Sequence, residues 1–245
     1  MSYKLCIVVP NYNHSNRLMS LFDALSQYNL PCILVDDGSN FITKKIIQQV
    51  LQRHHFIELV TLADNSGKGV AVCVGFKRAF ERGFSHALQI DADYQHNVED
   101  IRSFINLSNQ HPNTLISGYP IYDQSAPKSR VYGRKITNFW VAIETLSLDI
   151  VESMCGFRIY PLKETMVLLS NITLPQRMAF DIAVIVRLYW QDVPVKFIPT
   201  KVIYPTDGSS HFKVLKDNIK ISLTHSRLFF AMLIRLPKLL LRKFK

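Results

Sequence analysis

Five short apolar runs, Leu5–Val9, Cys32–Val35, Ile57–Leu62, Ala87–Ile90 and Thr114–Ser117, punctuate the first half of this chain. Between them lie stretches of helical length and pattern: Arg17–Tyr28, Thr43–His54, Gly69–Arg82 and Val98–Asn109. A strand that is followed by a helix and another strand returns to pair in parallel. The alternation therefore predicts an α/β chain with a mostly parallel sheet and helices on both faces. It also predicts where chemistry belongs, because ligands of open α/β sheets collect beyond the carboxyl ends of the strands. Asp36, Asp37 and Gly38 follow the second run, Asp64 and Asn65 the third, and Asp91 and Asp93 the fourth.

The fourth of these places carries the most chemistry. Ala87-Leu88-Gln89-Ile90 stops in Asp91-Ala92-Asp93-Tyr94-Gln95-His96, two carboxylates one residue apart. Strand side chains alternate with a period of two, so Asp91 and Asp93 project together and are suited to hold a hard divalent cation against a diphosphate. Asp-x-Asp alone is common on solvated loops. Its position at a strand end is what gives the pair weight.

The other strand ends add matching groups. Pro10-Asn11-Tyr12-Asn13 ends the first, and Val35-Asp36-Asp37-Gly38-Ser39 ends the second with carboxylates that can accept hydrogen bonds from a base or from ribose hydroxyls around a sharp turn. Asn65-Ser66-Gly67-Lys68-Gly69 opens a helix with two glycines and a lysine, a pattern that brings backbone N–H groups and a cation to a diphosphate. It lacks P-loop spacing, which excludes a nucleoside triphosphatase of that type.

The second half is less regular. Ser129–Leu148 reads as one long helix carrying Arg130, Arg134 and Lys135, followed by the tight stretch Cys155-Gly156-Phe157-Arg158. A helix over Arg177–Trp190 comes next, then short strands Val195–Ile198 and Val202–Tyr204, and a polar turn over Asp207–His211. These elements are expected to form the acceptor side of a cleft. Cys6, Cys32, Cys73 and Cys155 are too scattered for a zinc site and read as reduced thiols of a cytoplasmic protein. The N-terminal apolar run is too short for a signal peptide.

The charge is uneven. Of the net +10, the segment from Lys213 onward holds +8, with Asp217 its single acid. Bulky apolar residues separate the basic ones, in Leu228–Ile234 and Leu236–Leu241, which suits acyl chains better than nucleic acid. Arg235 and Lys238 interrupt the run short of the roughly 20 apolar residues needed to span a bilayer. The segment reads as a basic amphipathic helix lying on a membrane surface, bent at Pro237, or else as a helix packed on the body.

Taken in order and one βα unit apart, these motifs resemble glycosyltransferase family 2. The segments concerned are Pro10–Asn13, Val35–Ser39, Asn65–Gly69 with Ala71 and Gly75, and Asp91–His96. Within the family they resemble the branch of dolichyl- and polyprenyl-phosphate sugar synthases. The resemblance implies a GT-A fold, a Rossmann-like mostly parallel mixed sheet, over residues 1–212, with a nucleotide-sugar-binding half at 1–117 and an acceptor-side half at 118–212; the tail at 213–245 reads as membrane-associating from its own charge and apolar pattern. It implies an activated UDP- or GDP-sugar donor, Mg2+ or Mn2+, inversion at the anomeric carbon, and a lipid-linked acceptor at the inner face of the membrane, with no nucleic acid involved. Pro10 and Asn13 would line the base pocket, and Asp36 and Asp37 would hold base or ribose. Asp64 and Lys68 would stand near the nucleotide. Asp91 and Asp93, with Gln95 as a further ligand, would hold the metal-bound diphosphate. Arg134 and Arg158 would face anionic groups, although Arg158 is equally readable as a structural ion-pair residue. Asp181 resembles the base used for hydroxyl acceptors, and equally a helix N-terminal charge.

Departures from the branch narrow the expectation. Tyr94 stands where glycine is usual, Glu152 replaces an aspartate before Gly156-Phe157-Arg158, and Ala183 replaces a frequent glutamate. An arginine usual shortly before Gly208 is missing. These motivate a rival reading, a non-catalytic membrane-associated scaffold of the same fold. A nucleotidyltransferase is disfavoured because no early glycine- and arginine-rich triphosphate loop is present.

Overall fold

Along β1 (Leu5–Asn11) and β2 (Cys32–Asp36) successive side chains enter two different cores, which is how one sheet carries helices on both faces. Cys6, Val8, Ile33 and Val35 join one cluster, while Ile7, Val9, Cys32 and Leu34 join the other. With both faces covered, these strands are apolar up to their last residues, Asn11 and Asp36. The structure is a computed structural model and describes residues 2–121, 128–202 and 214–242.

Five further strands complete the sheet: β3 (Ile57–Thr61), β4 (His86–Gln89), β5 (Leu115–Ile121), β6 (Arg158–Pro161) and β7 (Val195–Lys201). The order is β3-β2-β1-β4-β6-β5-β7. All pairings are parallel except those of β6, which runs antiparallel to both β4 and β5. On one face lie α1 (Leu18–Ser26), α2 (Phe41–Arg53) and α4 (Ile101–Gln110). On the other lie α3 (Lys68–Glu81), α5 (Lys128–Thr145), α6 (Leu162–Asn171), α7 (Phe180–Trp190) and α8 (Val214–Leu241). The chain builds outward from β1 to β3, then returns to add β4 on the other flank of β1. That reversal opens a crevice beyond the ends of β1 and β4, where Asn13 and Asp91 stand.

The first-half elements match their expected places to within a few residues. The second half departs in three ways. Arg158, read as the end of a tight stretch, opens the central strand Arg158–Pro161, and neither that strand nor α6 after it was expected. β7 is one continuous strand, and Val202 forms only an isolated bridge to His96. Tyr204 and the turn at Asp207–His211, with Gly208 in it, lie outside the described residues.

His54 is buried at the end of α2 with Nε2 2.9 Å from Asp23 Oδ1. The helix α8 runs on through Pro237 and is packed on the body along one face, where Ile221, Leu228, Met232 and Leu239 are buried beside α5 and α7. Among the described residues no helix is long and apolar enough to cross a membrane. All four cysteines are free thiols, and burial pushes Cys6 and Cys73 up to about 12.

Candidate active site

The crevice at the strand reversal opens into a cavity of about 910 Å³. The end of β1 brings Pro10 and Asn13 to it, the end of β2 Asp37, and the start of α3 Lys68. The segment after β4 supplies Asp91, Asp93 and Gln95, while α5 contributes Arg134 and α7 Asp181. The first turns of α8 close one side through Asp217, Asn218 and Ile221.

At its centre a single ammonium group joins two carboxylates. Gly67, at φ +102°, turns the chain so that α3 begins with Lys68, and any side chain at Gly67 would strike the backbone of Gln176. Lys68 Nζ donates to Asp91 Oδ2 at 2.8 Å and to Asp181 Oδ2 at 2.9 Å. Gln89 Nε2 reaches the other Asp181 oxygen at 3.3 Å. Burial opposes the charge on Lys68, but Asp181 and Asp91 together hold its pKa above the usual lysine range. Burial alone would raise Asp91; the charge of Lys68, then that of His96, keeps it below the ordinary carboxylate value. Asp93 goes the other way, pushed up by burial and by its neighbour Asp91. Burial likewise pushes His96 down, against the pull of Asp91 and Asp93.

These groups fit a hard divalent cation. Asp91 Oδ1 is buried and has no hydrogen-bond partner, and the same holds for His96 Nδ1. The cavity lining carries Asp37, Asp91, Asp93, Asp181 and Asp217 against Lys68, Arg134 and Arg177, so a cation would offset unbalanced negative charge. Among the described residues no three His, Cys, Asp or Glu side chains converge into a ready cage. Asp91, Asp93 and Gln95 offer oxygen donors of the kind that Mg2+ and Mn2+ accept beside phosphate oxygens.

Around this centre the structure sorts the remaining candidates. Asp37 is buried and holds the loop before α3, accepting from Ser66 N–H (2.7 Å), Gly67 N–H (2.8 Å) and Asn65 Nδ2 (3.1 Å). Asp36 turns from the cavity to cap its own turn at Ser39 N–H. Asp64 is exposed outside the cavity. Arg134 extends into it from α5, with NH1 2.8 Å from Glu152 Oε1, which gives the unusual glutamate a role as the partner that aims it.

Arg158 is placed elsewhere. It is fully buried beneath Asp181, donating from Nε to Ser117 Oγ (3.0 Å), from NH1 to the Asp181 carbonyl (2.7 Å) and from NH2 to the Ser153 carbonyl (2.8 Å). Arg158 thus sits in a structural position, but its hydrogen-bond partners are hydroxyl and carbonyl oxygens rather than the carboxylate of an ion pair. Tyr94, the departure beside the carboxylates, adopts φ +54°, the left-handed region that glycine enters freely, and its ring packs against the core below.

Further cavity residues are added by the structure: Tyr12, His14, Arg177 and Gly156. Tyr12 lay within the quoted strand-end motif and His14 just beyond it. Arg177 had no local signal, since only the fold brings the segment before α7 over Asn65, to whose Oδ1 its NH2 donates at 2.9 Å.

Comparison with known proteins agrees with this geometry. Residues 6–165 match the family described as glycosyl transferase family 2. The chain is 24% identical over 215 residues to the UDP-N-acetylglucosamine–dolichyl-phosphate N-acetylglucosaminyltransferase of Methanococcus voltae, covering 80% of this chain and 86% of that one. It is 24% identical over 214 residues to the human dolichyl-phosphate beta-glucosyltransferase, covering 78% and 65%. Among solved structures, glucosyl-3-phosphoglycerate synthase of Mycobacterium tuberculosis in complex with Mn2+ and UDP-glucose superposes with a TM-score of 0.69 at 11% identity, over 94% of this chain and 79% of that one. The shared architecture is the GT-A fold.

Proposed function

This chain belongs to glycosyl transferase family 2, and on that premise we propose that it is an inverting glycosyltransferase. It moves a sugar from a UDP- or GDP-sugar to a lipid-linked acceptor, polyprenyl phosphate or a glycolipid, at the cytoplasmic face of a membrane. The observation that carries the reading is the Asp91–Lys68–Asp181 cluster with its unpartnered Asp91 oxygen, set in a large cavity at the strand reversal.

In this reading Pro10, Asn13 and the turn held by Asp37 receive the nucleoside. Asp91, Asp93 and Gln95 would hold Mg2+ or Mn2+, which when bound supplies positive charge to the departing diphosphate. Lys68 and Arg134 add fixed cations to the same end of the cavity, where negative charge develops on the leaving group. The acceptor follows from Asp181. A lipid phosphate is already anionic, its second pKa lying near ~6, and needs no strong base. A hydroxyl does need one, and both Asp181 oxygens are already engaged, by Lys68 and Gln89. We therefore assign Asp181 to fixing Lys68 rather than to abstracting a proton. The Methanococcus and human relatives, both named for dolichyl-phosphate acceptors, support this choice.

The test is transfer itself. Labelled UDP- and GDP-sugars are incubated with the protein, Mn2+ or Mg2+, and vesicles containing polyprenyl phosphate. Label is expected in the lipid phase and is expected to vanish in Asp93→Ala. Transfer only to a hydroxyl acceptor, abolished by Asp181→Asn, would restore Asp181 as base. Donor binding without transfer to any acceptor would favour the scaffold reading.

A further inference from the structure

The helix α8 is apolar on two faces. One is buried on the body, as described above. The other is a stripe of Ile219, Leu223, Phe230, Ile234 and Leu241, spaced by four and seven residues and therefore aligned along one side of the helix. This stripe is open: Phe230 is 65% exposed and Ile234 81%. Ser226 and Pro237 fall in its gaps, and Lys220, Arg227 and Lys238 run along one border. At the helical rise of 1.5 Å per residue the stripe is on the order of 30 Å long.

The neighbouring helix continues it. On α5, Tyr132, Ile136 and Phe139 repeat at helical spacing, with Ile136 61% and Phe139 63% exposed. An aromatic chain crosses the seam between the helices: Phe139 to Trp140 (6.1 Å between ring centroids), Trp140 to Phe229 (6.4 Å) and Phe229 to Phe230 (5.9 Å). The two helices thus present one continuous surface, too large to be a scatter of single exposed side chains.

Charge identifies what covers it. Glu144 and Asp217 are the only acids within α5 and α8, and both are buried. The two helices consequently show cations and apolar groups and no exposed carboxylate of their own, and at the border the exposed Asp192 pairs with Lys238 and Arg242. A second copy of the chain would bring its own basic border to this face, whereas anionic headgroups above acyl chains complement both components. We propose that α5 and α8 together dock this protein flat on an anionic lipid bilayer. Both helices also line the cavity, α5 through Arg134 and Thr137 and α8 through Asn218 and Ile221, so docking sets the cavity beside the membrane surface. The docking face is a two-helix surface built on the body, of which the C-terminal segment is one half. It deepens the lipid-linked acceptor reading and rests on it only for its purpose, since binding is measured without transfer.

The full chain is sedimented with vesicles of phosphatidylcholine alone or mixed equally with phosphatidylglycerol, at low and high salt. Binding is expected to the anionic vesicles and to weaken with salt. Phe139→Glu on α5 and Phe230→Glu on α8 should each weaken it by about tenfold. Phe41→Glu, at an exposed apolar residue of α2, should leave it unchanged. Circular dichroism melting confirms that the variants fold, as exposed positions allow. Absence of vesicle binding, or full binding by Phe139→Glu, would overturn the proposal. So would a dimer in sedimentation that either variant dissociates, which would make this face a self-association surface. Vesicle binding without transfer to any lipid would leave the docking face standing and remove the acceptor reading; transfer without vesicle binding would do the reverse.

Discussion

At Gly156 the backbone passes so close to the Lys68–Asp91 pair that a side chain has no room. An added Cβ would meet Asp91 Oδ2 and stand 2.6 Å from Lys68 Nζ. Those atoms are the ends of flexible side chains, so an alanine would be accommodated by moving them, and the damage would fall on site geometry rather than on folding. Gly156→Ala is expected to lower kcat/KM about a hundredfold while costing less than ~1 kcal/mol of stability. Unchanged kinetics with a large stability loss would contradict this. Two residues away the balance reverses. Arg158→Met would leave the Ser117, Asp181 and Ser153 oxygens buried without their donor. Urea unfolding should show a loss of about 3–5 kcal/mol, and a loss below ~1 kcal/mol would refute the structural role. The sequence left Arg158 open between a site cation and a structural residue, because it is a single cation near a motif. Burial decides between them, and burial depends on strands far apart in the chain.

Elements were legible where local pattern and tertiary packing agree. The four βα units announced themselves because their strands are covered on both sides and their helices carry one apolar face. β6 did not, because it is four residues long, ends in Pro161 and buries the polar side chains of Arg158 and Tyr160. α8 was legible as a basic apolar helix but not as one with two apolar faces, since only the fold assigns Leu228 and Met232 inward and Phe230 and Ile234 outward. Its inner face carries a titratable contact: His225 Nδ1 lies 2.8 Å from Glu144 Oε1, wholly inside the α5–α8 seam. Burial pushes the Glu144 carboxyl above its ordinary 4.5, against the lowering pull of His225. The folded chain thus favours the protonated acid. Its stabilising contribution is complete below the unfolded pKa and is lost as pH rises through the folded one. Glu144→Gln removes that dependence, so the variant should gain stability relative to the parent as pH is raised from 4.5 to neutrality. Urea unfolding across that range checks it, and a difference that does not change with pH would contradict it.

On the scale of the whole molecule, one strand reversal gathers the ends of β1, β2 and β4, and two helices extend from the resulting cavity as an uncovered apolar face. The strand-end residues Asp37, Asp91 and Asp93 were found in the sequence because the α/β alternation says where strand ends gather. The cluster of Lys68 with Asp181 was not, because 113 residues separate them. The central claim is that this cluster receives a nucleotide-sugar diphosphate together with a divalent cation. Isothermal titration calorimetry with UDP and GDP, with and without Mn2+, tests it most directly. At least one nucleotide should bind with an affinity that Mn2+ raises about tenfold or more and that Asp93→Asn returns to the metal-free value. Failure of both nucleotides to bind, or binding indifferent to Mn2+ and to Asp93→Asn, would contradict the account.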